Sequence, residues 1–301
     1  MGMYRRISVF MLPVAALLFA TCCNQRGKSS MFRSENNVEF DTVSVVAHHH
    51  LEGDTANPYC NILVDFVYPV TSNKMNLEGL QKFFIRNVLG VPYDTLSPSD
   101  AVGAYVRDYI ENYTADANTY RESVDEIKEF NSLISGMNVT ESEHYVQDFF
   151  YSYYETLSDS IVYNRHGVLS FQVKQSNNKD GAVSYDSYRN YVLNLGTGKP
   201  VTENDIFNPG YDLLMQRFIV AALQEQCNVD SVEELEDIGF FGVREIMPNQ
   251  NFLLNDKGII YTFNKGEYSA YQLDAPVIFI PYETILSLLK ENSIAAKLAN
   301  L

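Results

Sequence analysis

The sequence predicts an α+β protein in which antiparallel sheets pack against helices. Apolar and polar residues alternate, with the period of a half-buried strand, in segments on both sides of residues 77–130. Between those segments, apolar residues recur at the three- and four-residue spacing of an amphipathic helix. Strand-like segments after Gly136 are joined by short connections, which favour antiparallel neighbours. The chain of 301 residues is long enough for one large or two modest domains.

The first 22 residues predict a lipoprotein signal peptide. A pair of arginines precedes the apolar run Ile7–Ala20, and a basic head with a short apolar core is typical of a secretory signal. The run ends at two adjacent cysteines, of which we expect Cys22 to carry the lipid, with Cys23 as the alternative. An ordinary signal peptide or a short membrane anchor is the other interpretation.

Residues 23–39 are polar and aperiodic, and they predict a tether between the lipid and the folded part. The expected contact with the membrane is therefore made through the N-terminal lipid. No acidic run follows the cysteines, which favours the periplasmic side of the cell envelope over the cell surface.

The composition limits the kinds of molecule that the protein is expected to bind. The net charge of −16 argues against binding to nucleic acid and allows attraction of a basic protein, although acidic residues also serve solubility. The chain has 21 tyrosines and no tryptophan. Tyrosine suits half-buried sheet faces and binding surfaces, because its ring packs while its hydroxyl stays hydrated.

Residues 40–160 are predicted to begin with a hairpin and to continue as helices. Alternating residues place the two hairpin strands over Asp41–Val46 and Asn61–Tyr68. The next segments have the apolar spacing of helices, and Ser97-Pro98 is a favourable helix start. The three helices are expected over Leu77–Leu89, over the residues that follow Ser97, and over a segment that contains Val124, Ile127 and Phe130.

Later segments predict an antiparallel meander followed by mixed elements. The meander strands are expected over His144–Leu157, Ser160–Tyr163, Gly167–Lys174 and Tyr185–Leu195, with a turn at Leu157-Ser158-Asp159. Beyond them we expect a helix over Tyr211–Gln226, a short acidic helix capped by Ser231, a hairpin of Phe252–Leu254 with Gly258–Phe263, a strand over Val277–Ile280 and a final helix from Pro281.

No motif for catalysis is present, and neither G-x-S-x-G nor H-E-x-x-H occurs. We therefore predict a protein that is not an enzyme and has no metal site and no cofactor. On a strand, His48 and His50 would share one face as half of a zinc site, but we favour a solvated strand end. Cys60 and Cys227 are either a disulfide or two small buried side chains.

An aromatic surface is the first candidate for ligand binding. The segment Phe149–Tyr154 reads FFYSYY, and alternation leaves half of it outside the core. The candidate residues are Tyr151, Tyr153 and Tyr154, joined by Tyr268 and Tyr271 from a later segment.

Three segments in the second half resemble, in order, the DUF3298 domain. The first is Tyr191–Lys199 with Asp205-Ile206-Phe207, the second is Asn251–Ile259, and the third is Glu267–Tyr271 with Val277–Tyr282. The domain occurs in the anti-sigma factor that senses lysozyme and in related lipoproteins. Residues 40–70 are similar to the DUF4163 domain that usually precedes it. The resemblance implies a DUF4163-like part over residues 40–160 and a DUF3298-like part over residues 161–301.

This resemblance implies a non-catalytic envelope module. The anti-sigma role is not expected, because about five residues precede the signal. The predicted function is that of a lipid-anchored envelope protein that binds a cationic protein or a cell-wall ligand. Two alternatives stay open, a glycan hydrolase that uses carboxylates such as Asp186 or Glu155, and a structural envelope subunit.

Overall fold

The structure is a computed structural model that describes residues 36–134, 150–179 and 185–300. It confirms the α+β class, with one sheet of six strands, one of three, and helices against both. The strands are β1 (Val38–His50), β2 (Tyr59–Ser72), β3 (Tyr153–Arg165), β4 (Val168–Asn178), β5 (Tyr185–Asn194), β6 (Lys199–Pro200), β7 (Phe252–Leu254), β8 (Gly258–Thr262) and β9 (Val277–Pro281). The α-helices are α1 (Leu77–Val88), α2 (Pro98–Ile134), α3 (Glu203–Ile206), α4 (Asp212–Cys227), α5 (Val232–Asp237), α6 (Tyr282–Ile285) and α7 (Ile294–Leu298).

The large sheet has its strands in chain order, from β1 to β6. All its neighbours are antiparallel except β2 and β3, which pair in parallel from Cys60 opposite Tyr153 to Asp65 opposite Ser158. The sheet is therefore mixed, where the sequence predicted antiparallel sheets only. The chain between β2 and β3 contains α1 and α2, which supply the long crossover that a parallel pair requires. The small sheet, β7-β8-β9, is antiparallel throughout.

Helix α2 is one helix of 37 residues, whereas the sequence analysis divided this region into two. It begins as predicted: Pro98 is its first residue, and the Asp100 amide donates to Ser97 Oγ at 3.3 Å. No proline or glycine occurs between Tyr105 and Ile134, so nothing in the sequence breaks the helix there. The third predicted helix is consequently the last part of α2.

Strand β3 is continuous through Leu157-Ser158-Asp159, so the turn predicted there is wrong. Leu157 and Asp159 are both buried on one face, as the alternation of a strand requires. The boundary proposed between residues 160 and 161 lies within this strand. The part of the first predicted meander strand before residue 150 lies outside the described residues.

The two faces of the large sheet pack against two different hydrophobic cores. Leu169 and Phe171 of β4 belong to the core beneath α1 and α2, while the intervening Ser170 bonds through Oγ to Leu254 O of β7 at 2.7 Å. Val168 and Val192 face the second core, built with α4 and the small sheet. That core extends to Tyr163 at the end of β3, whereas Val46 of β1, on the same side of the sheet, is 76% exposed.

Both cysteines of the described part are free. Cys60 is buried in the core beneath α2, and Cys227 is half-buried against the second core. Burial raises the pKa of the Cys60 thiol to about 11, so this side chain stays protonated at neutral pH. The disulfide is therefore not formed, and the cysteines pack as small apolar residues.

Asp159 is a buried acid at the point where β2 and β3 stop pairing. Its Oδ1 accepts the Val67 amide at 2.8 Å, a bond that replaces the missing strand partner. Within the described residues its Oδ2 is buried without a hydrogen-bond partner. Burial raises the pKa of this carboxyl well above its usual range, with a smaller opposing effect from the Val67 amide.

We expect Asp159→Asn to increase the free energy of unfolding by about 1–3 kcal/mol at pH 7. The folded state binds the proton more tightly than the unfolded state, so wild-type stability falls as pH rises above about 3.9. Urea denaturation at a series of pH values measures the difference in free energy of unfolding between Asp159→Asn and the wild type. This difference should shrink steadily as the pH is lowered from 7 towards 4. Asp159→Ala is the control and should destabilise, because it leaves the Val67 amide unpaired; a gain independent of pH would contradict this explanation.

Candidate functional site

The outer edge of β5 is closed by asparagine side chains instead of a neighbouring strand. Asn251 Oδ1 accepts the Asn190 amide at 2.8 Å, and Asn251 Nδ2 donates to Tyr188 O at 3.0 Å. Asn264 Oδ1 accepts the Tyr188 amide at 2.7 Å. These amides satisfy the backbone groups of β5 beyond the short β6 and join the small sheet to the large one.

Two cavities flank this edge and share the side chains of Arg189 and Tyr191. One has a volume of ≈ 320 Å³ and lies on the helix side; the other, ≈ 290 Å³, lies against the loop before β7. We call the pair the β5 groove. Its polar and aromatic lining consists of Arg86, Asn87, Tyr105, Gln175, Tyr188, Arg189, Asn190, Tyr191, Asn249, Gln250, Asn251, Asn264 and Glu267.

The helix-side half of the groove lies over a buried carboxylate. The Tyr105 hydroxyl donates to Glu155 Oε1, and Arg189 Nη1 donates to Gln175 Oε1 at 2.9 Å. Burial raises the pKa of the Glu155 carboxyl, while hydrogen bonds from Tyr105 and Gln175 and the charges of Lys179 and Arg189 lower it in part. Arg189 keeps further N–H donors for a ligand, because a guanidinium has five.

The two carboxylates named for a hydrolase do not form a pair. In the sheet register Glu155 lies opposite Asn177, and Asp186 lies opposite Ser176. Asn177 and Ser176 are consecutive in β4, so Glu155 and Asp186 extend from opposite faces of the sheet. Asp186 instead forms an ion pair with Lys174, with Oδ2 and Nζ 2.8 Å apart.

The predicted tyrosine surface is dispersed. Tyr153 is 4% exposed and packs in the core against Tyr113, whereas its neighbour Tyr154 is 40% exposed on the open face of the sheet. Tyr151 is half-buried. Tyr154 alone of this trio is therefore well exposed, and its hydroxyl lies 2.9 Å from that of Tyr59.

The other two predicted tyrosines are separated as well, and one of them, Tyr271, lies at the start of β5. Tyr271 is 52% exposed and stacks on Tyr185, with ring centroids 4.5 Å apart. Tyr268 is half-buried against Phe263. Cys22 and Cys23 lie outside the described residues.

Sequence reasoning missed the residues that build the groove. Arg189 lies in a predicted strand without any motif, and Asn249, Gln250 and Glu267 come from loops far along the chain. Tyr191, Asn251 and Glu267 did carry a signal, since each opens one of the segments that resemble the DUF3298 domain. In the described part of the chain, no three side chains of the His, Cys, Asp and Glu types meet where they could hold a metal ion. Nor does any helix there have the length and apolar character needed to cross a membrane.

Residues 204–283 match the model of a family described as "Protein of unknown function (DUF3298)". This segment belongs to the DUF3298 family. It contains all of α3 but its first residue, the small sheet and the loops that form one wall of the β5 groove. The match begins after the Tyr191–Lys199 turn, so it includes the later two of the three resembling segments and the Asp205-Ile206-Phe207 part of the first.

Two solved structures of DUF3298 proteins are similar to this chain. A family member from Bacteroides fragilis is 25% identical, with a TM-score of 0.74 over 89% of this chain and 100% of its own. A family protein from Pseudomonas aeruginosa is 12% identical, with a TM-score of 0.55 over 84% of this chain and 95% of its own, and it shows the fold alone. No curated protein matches the chain.

Within the DUF3298 segment, the resembling residues have structural roles. A Cβ atom on Gly258 would lie 2.2 Å from Ile280 O, so only glycine lets β8 approach β9 there. Asp205 completes a capping box with Thr202 at the start of α3. Asn251 differs from these because its side chain holds β5, the strand that runs through the groove.

Proposed function

We propose that the protein is a lipid-anchored component of the cell envelope that binds a polar cell-wall polymer, a glycan or a peptide, in the β5 groove and performs no chemistry on it. The observation that carries this proposal is the lining of the groove, where tyrosine rings lie among side-chain amides, two guanidiniums and one carboxylate. Such a lining offers ring faces to sugar or side-chain carbons and hydrogen bonds to hydroxyl or amide groups. The groove is shallow and open, which suits an extended polymer that lies along its surface.

The charges of the groove favour a ligand that carries both polar and ionised groups. Arg86 is paired with Asp94 at 2.8 Å, so Arg189 is the better placed cation for a ligand carboxylate. Glu267 is exposed in the cavity that Arg189 also lines, and it can pair with an amine. Peptide stems joined to a glycan combine these groups, which is why we favour a cell-wall ligand.

Soluble peptidoglycan fragments should bind the full chain in calorimetry. We expect Arg189→Ala and Tyr188→Ala each to weaken binding about tenfold, as the loss of an Arg or Tyr contact does at many interfaces. Arg107→Ala and Tyr154→Ala, exposed residues outside the groove, are the matched controls and should leave the affinity unchanged. Equal affinity in all four variants would overturn the groove as the site, and release of cleaved fragments that stops in Glu155→Gln would favour the hydrolase.

The anchor and the location in the envelope are part of the same proposal, and they rest on the sequence of the first 28 residues. Mass spectrometry of the mature N terminus should find a lipid-modified cysteine, Cys22 or the adjacent Cys23. Cys22→Ala should abolish the modification or move it by one residue. An N terminus that is cleaved elsewhere and carries no lipid would refute the anchor while leaving the groove untested by that experiment.

A basic protein, such as one similar to lysozyme, is the second candidate partner. It is favoured by the net charge of −16 and by α5, where Glu234, Glu236 and Asp237 are exposed together. Because the interaction would be largely electrostatic, its affinity should fall steeply with added salt. An affinity that does not change with salt concentration would count against a basic protein as the partner.

A further inference from the structure

His48 and His50 approach each other on the open face of the large sheet. They are alternate residues of β1, so their side chains share a face, and the two Nε2 atoms lie 2.8 Å apart. Both rings also pack against Tyr59 of β2, with centroid distances of 4.7 Å and 5.3 Å. The two imidazoles are thus held in one arrangement.

The hydrogen bonds at the other ring nitrogens decide where the protons lie. His50 Nδ1 is 2.9 Å from Asn57 O, and a carbonyl oxygen accepts only, so this Nδ1 carries the hydrogen. His48 Nδ1 faces Asn61 Oδ1, another acceptor, and with the amide in this orientation it donates as well. A neutral imidazole has one N–H, so both Nε2 atoms then present lone pairs.

Two lone pairs 2.8 Å apart repel each other unless the nitrogens share a proton or bind one metal ion together. Donation of the second ring N–H to an oxygen is the arrangement that orients and polarises a histidine that ligates a metal. We propose that His48 and His50 bind a divalent transition-metal ion through their Nε2 atoms. This site is separate from the β5 groove and does not depend on the proposed function.

The separation of the nitrogens indicates which ion. Two nitrogens at about 2.0 Å from a metal lie about 2.8 Å apart at a square-planar angle and about 3.3 Å apart at a tetrahedral one. The observed 2.8 Å fits the first geometry, which Cu²⁺ and Ni²⁺ prefer. Copper binds nitrogen ligands most tightly of the divalent series, so Cu²⁺ is the expected occupant. His48 is exposed, and the remaining positions on the ion would be open to water or an external ligand.

The chain provides its own control in His49, which lies between the two ligands and extends from the opposite face of β1. Cu²⁺ should be titrated into the full chain in competition with a chelator, and the complex examined by electron paramagnetic resonance. We expect one ion with a two-nitrogen tetragonal spectrum. Affinity should fall at least tenfold in His48→Ala and in His50→Ala and stay unchanged in His49→Ala.

Three results would overturn the proposal: no copper binding, an equal loss in all three variants, or an unchanged affinity in His48→Ala and His50→Ala. The second would indicate adventitious binding by a histidine-rich strand, and the third would place the copper elsewhere on the chain. Circular dichroism of each variant separates loss of the site from loss of the fold. His48→Gln, which keeps a polar side chain opposite Asn61, should lose copper to the same degree as His48→Ala.

Discussion

Replacing Glu203 by alanine should lower the free energy of unfolding by about 2–3 kcal/mol, because it removes the acceptor of three part-buried hydrogen bonds. Glu203 is 1% exposed at the first position of α3. Its carboxylate accepts the Gln250 amide at 2.9 Å, Gln250 Nε2 at 2.7 Å and the Tyr211 hydroxyl. In return, Gln250 Oε1 accepts the Glu203 amide at 3.1 Å.

The backbone conformation of Gln250 explains why loss of its hydrogen bonds with Glu203 should destabilise the protein. Gln250 has a φ of 59°, a left-handed conformation that few residues other than glycine adopt. Three hydrogen bonds with Glu203 hold it there, at the point where the chain enters β7 and one wall of the β5 groove. Without them we expect the loop before β7 to relax and the groove to lose its shape.

Urea denaturation of Glu203→Ala and Glu203→Gln measures this effect. The glutamine should recover only part of the stability, because its amide nitrogen faces donors. Glu225→Ala, which removes an exposed carboxylate of α4, is the control and should change stability by less than about 0.5 kcal/mol. A loss below about 1 kcal/mol in Glu203→Ala would mean that the buried network contributes little.

Elements with a strong local period were predictable from the sequence. The helix over Leu77–Leu89 and the hairpin of Phe252–Leu254 with Gly258–Phe263 agree with the structure to within one residue at each end. Local chemistry also fixed helix starts: Ser231 accepts the Glu234 amide at 3.2 Å, as its spacing predicted. The predictions of these elements are correct because apolar period and helix capping depend on residues only a few positions apart.

Pairing between distant segments was not predictable in the same way. The alternation of apolar and polar residues in β2 and β3 predicts two strands, but it does not indicate that these strands are parallel neighbours. The error at Leu157-Ser158-Asp159 has a physical cause, since Ser and Asp favour turns while here Asp159 caps the Val67 amide inside the sheet. A single sequence carries no sign of a bond between residues 67 and 159.

The candidate site, too, was predictable only where it depends on local sequence. Exposed tyrosines could be nominated from composition, and Tyr154 and Tyr271 are indeed exposed. The groove could not, because its walls come from α1, α2, β4, β5 and the loops near β7 and β8. Each residue is ordinary where it stands in the chain, and only the packing of two sheets brings Arg189 near Glu267.

Asn251→Leu should destabilise the protein by about 3 kcal/mol, because leucine roughly keeps the volume and removes the side-chain hydrogen bonds to β5. The Asn190 amide would then lose its acceptor in a buried position. Tyr188 O keeps a second donor, Asn264 Nδ2 at 3.2 Å, which limits the loss. Urea denaturation measures the effect, and Asn118→Ala, an exposed asparagine of α2, should change stability by less than about 0.5 kcal/mol.

Asn251→Asp distinguishes hydrogen bonding from packing at this position, since it leaves the shape unchanged. One carboxylate oxygen can still accept the Asn190 amide, but the other would face Tyr188 O and Thr262 O, both acceptors at 3.0 Å and 2.9 Å from the present Nδ2. Repulsion between these oxygens would raise the pKa of the introduced carboxyl in the folded state. The destabilisation should therefore be small below about pH 4 and grow as pH rises towards 7. If Asn251→Asp were as stable as the wild type at pH 7, the small sheet would be held to β5 by apolar packing instead of by asparagine.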